Sequence, residues 1–127
     1  VQFRQMITGI GTDIIEIDRI KKACENPRFI DRVFTEREKD YSSSKVRSAQ
    51  HFAARFASKE ATMKALGKGF SFQDIEVVNN EEGKPEILLH GNAKEYAQKS
   101  GIDKIFLTIS HSQNMAIAFV VMRKHIL

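Results

Sequence analysis

The segment MAIAFVVM, residues 115–122, is apolar at every position. In a β-strand, neighbouring side chains face opposite sides. Met115, Ile117, Phe119 and Val121 would therefore line one face, and Ala116, Ala118, Val120 and Met122 the other. Such a strand predicts burial on both sides, by helices or by another subunit. The chain has 127 residues, which suits one domain with a modest core. The rest of the fold must therefore be built around this strand.

The first half reads mainly as helix. "MITGIGTD" predicts an opening strand over residues 6–10, and Val1–Gln5 reads as a non-native or disordered extension before a start at Met6. Ile14, Ile17, Ile20 and Cys24 recur at steps of three or four, so the spacing predicts a helix from Asp13, with Pro27 just beyond its end. Thr35 and Glu38 stand at capping-box spacing, which starts a second short helix at Thr35. A long helix follows over about 45–66. Its apolar stripe is Ala49, Phe52, Ala53, Phe56, Ala57, Met63 and Leu66, and "GKG" ends it.

The second half reads mainly as strand. Residues 72–78 and 85–90 flank "NNEEGK", a hairpin signal with Gly83 at the turn. A short helix over 92–101 would be capped by Asn92, and 104–110 pairs with 114–123 around "HSQ". No repeat, linker or low-complexity tract interrupts this order. The expected class is α+β, a largely antiparallel sheet packed on a long central helix and shorter helices.

Composition narrows the functional classes. The net charge is +4, which favours an anionic partner. No apolar run reaches the length of a membrane span, and no membrane partner is expected. The N-terminus lacks the apolar core of a secretory signal. Cys24 is the only cysteine, so an intramolecular disulfide and the usual multi-cysteine zinc sites are excluded. A reducing cytoplasm is the expected compartment, and the place of Cys24 in an apolar pattern marks it as packing.

The chemistry concentrates in two stretches. "GIGTD" is not a dinucleotide fingerprint, because Ile14 stands where the third glycine would fall. "LGKGF" is not a phosphate-binding Walker loop either. Asp13 would instead present a carboxylate at a helix N-terminus, as a dipole partner or as a metal ligand. In "RFASKEATMKALGKG", Glu60 shares a helical face with Phe56, Met63 and Lys64. Hard divalent cations take one or two carboxylates and share phosphate oxygens, so Asp13 and Glu60 form the best-motivated pair. Lys64 would pair with Glu60, reach a phosphate or shuttle a proton. His111 in "ISHSQN" reads as a turn residue by itself. His51 lies beside Arg47 and Arg55 on a face that is either plain surface or a phosphate clamp.

Together these stretches resemble the holo-acyl-carrier-protein synthases, the small bacterial class of 4′-phosphopantetheinyl transferases. The resemblance covers nearly the whole chain from Met6. It rests on "GIGTDIIEI", on "RFASKEATMKALGKG" as the aromatic-x-x-Lys-Glu-Ala-x-x-x-Lys motif, on "SFQDIEV" with "GKPEI", and on "LTISHSQNMAIAFVV". It implies transfer of the phosphopantetheine arm of coenzyme A to a serine of apo-acyl carrier protein, releasing adenosine 3′,5′-bisphosphate. By the same resemblance Asp13 and Glu60 would hold Mg²⁺, and Lys64 would lie close to the diphosphate. Arg47, Arg55 and His111 match positions lining the nucleotide phosphates, and Gly83–Lys84–Pro85 a segment near the adenine. Either a metal-bound water held by Asp13 or a carboxylate itself would take the serine proton. The family works as a homotrimer with active sites between subunits, which would cover the two-faced strand. Between Gly69 and Ser71 this chain has only Phe70, where many of the family have several residues bordering the coenzyme site.

Acyl carrier proteins are acidic, so the basic excess gains a use. Arg19 and Lys22 share a helical face and Arg28 follows; they would dock the carrier, or simply face solvent. Two rival classes use the same residues. A small nucleic-acid-binding domain would need an aromatic platform or a Gly-x-x-Gly clamp, and neither is present. A silent carrier-binding module would have no use for Asp13, Glu60 and Lys64 together.

Overall fold

The computed structural model describes residues 4–126. The elements run β1 (Arg4–Glu16), α1 (Ile17–Ala23), α2 (Pro27–Val33), α3 (Glu36–Ser43) and α4 (Ser48–Leu66). A single 3₁₀ turn (Phe72–Asp74) leads into β2 (Ile75–Asn79) and β3 (Pro85–Leu89). Then come α5 (Gly91–Lys99), β4 (Ile102–His111) and β5 (Met115–Ile126). The class is α+β, with five helices and two antiparallel sheets among the described residues. One sheet has the order β1-β5-β4 and the other is the β2-β3 hairpin.

The opening strand is longer than the sequence pattern predicts. It continues through Asp13 to Glu16, so Asp13 lies within β1, opposite Ala118 of β5, and not at a helix N-terminus. The isoleucine spacing fits a helix, but β5 offers an unbroken ladder down to Met115, and the β-branched run Thr12, Ile14 and Ile15 suits a strand. The helix begins only at Ile17. Arg4 and Gln5, read as part of an extension, pair with Ile126 and His125, whereas Val1–Phe3 lie outside the described residues. Pro27 lies just beyond the end of α1, as expected, and also opens α2, a helix the pattern does not predict, with Asn26 accepting a hydrogen bond from the Arg28 N–H. Asn92 lies inside α5, whose N-cap position is His90.

Other signals are realised directly. Thr35 and Glu38 form the reciprocal capping box at the start of α3. α4 ends at Gly67, whose φ of 75° is the left-handed conformation that glycine adopts without a side-chain penalty.

The core lies between α4 and the inner face of the three-stranded sheet. Ala116, Ala118, Val120 and Met122 are fully buried there, against Ala57, Ala61 and their neighbours on α4. Phe34 and Phe52 meet edge to face, with centroids 4.9 Å apart, and close one end. The outer face of the sheet is different. Ile10, Ile14, Phe106, Ile117 and Phe119 are 39–62% exposed. Among the described residues of one chain, β5 is therefore buried on one face only, and no helix takes the outer face.

Two glycines set how closely the layers approach. A Cβ on Gly11 would overlap the Ala61 carbonyl oxygen and lie 2.8 Å from the Ala65 nitrogen. A Cβ on Gly9 would overlap the Ala65 carbonyl oxygen. A register shift between Ile7 and Gly9 turns this stretch toward the helix. Both obstacles are backbone, so nothing flexible can yield. Gly11→Ala should push α4 off the sheet and cost about 3 kcal/mol or more, the upper range for overpacking. Urea unfolding checks this: a clear fall in midpoint is expected, and an unchanged midpoint contradicts the close-contact account.

Candidate active site

The contact of β1 with α4 brings Asp13, Glu60 and Lys64 to one corner. Lys64 donates to the backbone carbonyl of Thr12 at 2.9 Å and reaches Asp13 Oδ1 at 3.4 Å. Thr12 is itself fixed by its hydroxyl, which donates to the Ala118 carbonyl at 3.1 Å. Asp13 is mostly covered, its side chain 17% exposed, whereas that of Lys64 is 55% exposed. Phe56 is one turn before Glu60 on the same helical face. It stacks on Phe72 at 5.6 Å and packs near Phe29 at 6.0 Å, giving that face an apolar wall.

This setting raises both carboxyls. Burial pushes up Asp13, with Lys64 and Arg19 acting in the opposite direction. Burial also pushes up Glu60, the negative charge of Asp13 adds to it, and Lys64 partly offsets it. Two carboxylates that each raise the cost of ionising in the folded protein are the donor set a divalent cation would relieve. Among the described residues there is no cluster of three or more His, Cys, Asp or Glu. A cation here would have two protein carboxylates and keep its other positions for water and substrate, which suits Mg²⁺.

A second group gathers at the other end of α4. A cavity of about 230 Å³ is lined by Tyr41, His51, Arg55, Asn79, Pro85 and His111, among others. Arg55 is 3% exposed and donates to Asn79 Oδ1 at 2.6 Å. Its guanidinium stands 4.0 Å over the Tyr41 ring, and its Nε has no hydrogen-bond partner among the described residues. His51 is half-buried, edge to face with Tyr41, and therefore not plain surface. Burial and the nearby Arg55 lower its pKa. Arg47 lines the adjoining cavity of about 610 Å³, and Gln50 and His111, 3.2 Å apart, border both. Arg47, Arg55 and His111, read from the sequence as lining the phosphates, and Pro85, read as near the adenine, thus assemble around two adjoining hollows. Asp13, Glu60 and Lys64 line neither.

The profile of the 4′-phosphopantetheinyl transferase superfamily matches residues 9–120. The chain belongs to that superfamily. Its curated relatives place it among the holo-[acyl-carrier-protein] synthases, as an enzyme of that family. The synthase of Geotalea daltonii is 50% identical over 125 residues, spanning 94% of this chain and all of that one. The synthase of Caldanaerobacter subterraneus is 45% identical over 116 residues, spanning 88% of this chain and 91% of that one. The crystal structure of the Plasmodium yoelii synthase superposes with a TM-score of 0.84 at 36% identity, covering 95% of this chain and 98% of that one. The Bacillus anthracis synthase was solved in complex with CoA (3′,5′-ADP). It superposes with a TM-score of 0.78 at 38% identity, covering 94% of this chain and 98% of that one.

The docking residues read from the sequence are all on the surface of this transferase: Arg19 and Lys22 on α1, Arg28 at the start of α2. Arg19 is close enough to Asp13 to lower its pKa. Residues that sequence reasoning passed over include Tyr41, Gln50 and Asn79, which hold or face Arg55 and His111. Their only advance signal was Tyr41 in "TEREKDY"; nothing local marks the others. No described helix is long and apolar enough to cross a membrane.

The raised carboxyls make cation affinity pH-dependent. Both must be ionised to bind a cation, and both take up protons at a higher pH than ordinary carboxyls. Mn²⁺ affinity followed by electron paramagnetic resonance should fall as pH drops from about 7.5 to about 5 and be lost in Glu60→Gln. An affinity unchanged across that range, or retained in the variant, contradicts a cation held by these carboxylates.

Proposed function

We propose that this transferase moves the 4′-phosphopantetheine group of coenzyme A to a serine of apo-acyl carrier protein, with Mg²⁺ held by Asp13 and Glu60. The observation that carries the reading is the Asp13–Glu60–Lys64 corner: two mutually repelling, half-covered carboxylates beside one ammonium. Solved relatives bound to coenzyme A support the donor, among them the Helicobacter pylori synthase at 34% identity and a TM-score of 0.77, covering 89% of this chain and 98% of that one.

The serine Oγ attacks the phosphorus that carries pantetheine. The bond from that phosphorus to the bridging oxygen breaks, and adenosine 3′,5′-bisphosphate leaves with the electron pair. The serine proton goes to a carboxylate of the corner or to a water hydrogen-bonded to Asp13. Lys64, fixed by the Thr12 carbonyl, adds positive charge or a proton at the departing phosphate. Mg²⁺ in this position would supply charge neutralisation on the diphosphate. The protein otherwise acts by positioning, as is general in phosphoryl transfer. Arg47, Arg55 and His111 would receive the nucleotide phosphates, and Pro85 would border the adenine.

The enzyme works as a homotrimer with its active sites between subunits. Support comes from the apolar outer sheet face, where Ile10, Ile14, Phe106, Ile117 and Phe119 span three strands. It also comes from the separation of the carboxylate corner from the phosphate-side hollows. A neighbour's hollows beside this corner would complete one site. The acidic carrier then meets Arg19, Lys22 and Arg28 next to Asp13.

Incubation with coenzyme A, Mg²⁺ and an apo-acyl carrier protein should add the phosphopantetheine mass to the carrier. No gain overturns the assigned reaction. Arg19→Glu should lower kcat/KM for the carrier by tenfold or more at low salt, on the order of the cost of a like-charge contact. The defect should shrink as salt screens it. Mn²⁺ affinity measured in the same variant separates docking from disturbance of Asp13. Normal carrier kinetics would place the dock elsewhere.

A further inference from the structure

Lys59 immediately precedes Glu60 and takes no part in the chemistry above, yet it is completely buried. Its ammonium lies 2.7 Å from Glu38 Oε1 and donates to the carbonyls of Phe72 at 2.9 Å and Ile75 at 2.6 Å. An ammonium has three protons, and all three are used. Glu38, equally buried, accepts from the Thr35 N–H at 2.9 Å and the Val77 N–H at 2.8 Å. One lysine on α4 is thereby tied to the start of α3, to the 3₁₀ turn and to β2.

Stability alone is a poor reason for this arrangement. Desolvating two charges is costly, and apolar residues of similar volume often serve as well or better. Burial accordingly lowers the Lys59 pKa, with Glu38 opposing. What apolar packing would not provide is direction. The glycine–alanine contact between β1 and α4 sets how near the helix comes, whereas hydrogen bonds of fixed direction also limit its rotation and sliding. Lys59 places three such bonds at one residue.

Glu60 follows Lys59 by about 100° around the helix. A helix rotation of about 10° would carry a carboxylate some 6 Å from the axis through roughly 1 Å. Mg²⁺ demands near-ideal octahedral geometry and tolerates little of that. We propose that Lys59 is a positioning residue, whose buried anchorage to Glu38, Phe72 and Ile75 sets the place of the Glu60 carboxylate against Asp13. This rests on the reading that Asp13 and Glu60 hold a divalent cation.

The test compares Lys59→Met, the charge-free pair Lys59→Met/Glu38→Gln, Glu60→Gln and the unaltered enzyme. Mn²⁺ binding is read by electron paramagnetic resonance without substrates, and Mg²⁺ dependence and coenzyme A KM by steady-state kinetics. Removing a residue that orients a metal ligand typically weakens binding about 10–100-fold. The Lys59 variants should show a Mn²⁺ Kd raised by at least about tenfold and a matching shift in the Mg²⁺ requirement, with coenzyme A KM changed less than about twofold. Should Lys59→Met fail to fold in both backgrounds, Glu38→Gln alone keeps the ammonium with its two carbonyls and should show a smaller shift of the same sign. Lower thermal stability with an unchanged Mn²⁺ Kd in the folded variants would make Lys59 merely structural and overturn the proposal. If Glu60→Gln also binds Mn²⁺ like the unaltered enzyme, the cation reading itself has failed. If only Glu60→Gln loses Mn²⁺, the cation reading stands and the positioning role does not.

Discussion

The structure depends on the contact of two backbones. Gly9 and Gly11 bring β1 against the turns of α4 that carry Ala61 and Ala65, with no room for a Cβ between them. A strand and a helix normally meet through side chains. Here the spacing collapses to the backbones themselves, and side chains just beyond the contact are forced together. Asp13 follows Gly11 by two residues and Glu60 precedes Ala61. This close approach brings Asp13, Glu60 and Lys64 within reach of one another and covers both carboxyls. The glycines of "GIGTD" serve neither a phosphate loop nor a turn.

The same helix organises charge on its other flank. Lys59 joins Glu38, while Glu76 receives Arg37 at 2.6 Å, His90 at 2.9 Å and the Thr35 hydroxyl. Burial alone would raise the Glu76 carboxyl, but these partners outweigh it and hold its pKa at about 2. That contribution to stability is present above the ordinary carboxyl value and disappears as pH falls toward about 2. Glu76 therefore stays ionised at neutral pH. The Asp13–Glu60 corner is instead costly to ionise without a partner. Its carboxylates favour the folded state less as pH rises through their folded values. Densely paired charge on one side of α4 and two carboxyls that burial disfavours ionising on the other divide scaffold from site.

Much of this was legible in the sequence, for local reasons. The capping box of Thr35 and Glu38, the Gly67 stop and the hairpin around Gly83 are set by neighbouring residues and formed as expected. Asp13 and Glu60 could be paired from residue type. The strand around Asp13 could not be read, because isoleucines at 14, 17 and 20 satisfy a helical spacing and only the length of β5 decides for a strand. Pro27 likewise signals a stop and a start equally well. The grip of Glu38 on Lys59 spans α3 and α4, and that of Asn79 on Arg55 spans α4 and β2. Such bonds leave no local pattern. The two apolar faces of β5 predict burial on both sides, whereas among the described residues only one of those faces is covered.

Subunit mixing tests the central claim, that one carboxylate corner and a neighbour's phosphate-side hollows make one active site. Asp13→Asn and Arg55→Ala enzymes, each inactive alone, are mixed in equal amounts and allowed to exchange subunits. In a random trimer, about a quarter of the interfaces then join an intact corner to an intact Arg55. Activity should recover to about that fraction of the unaltered enzyme. If mixed trimers form, as native mass spectrometry would show, and activity stays at the level of the separate variants, the shared-site account is contradicted.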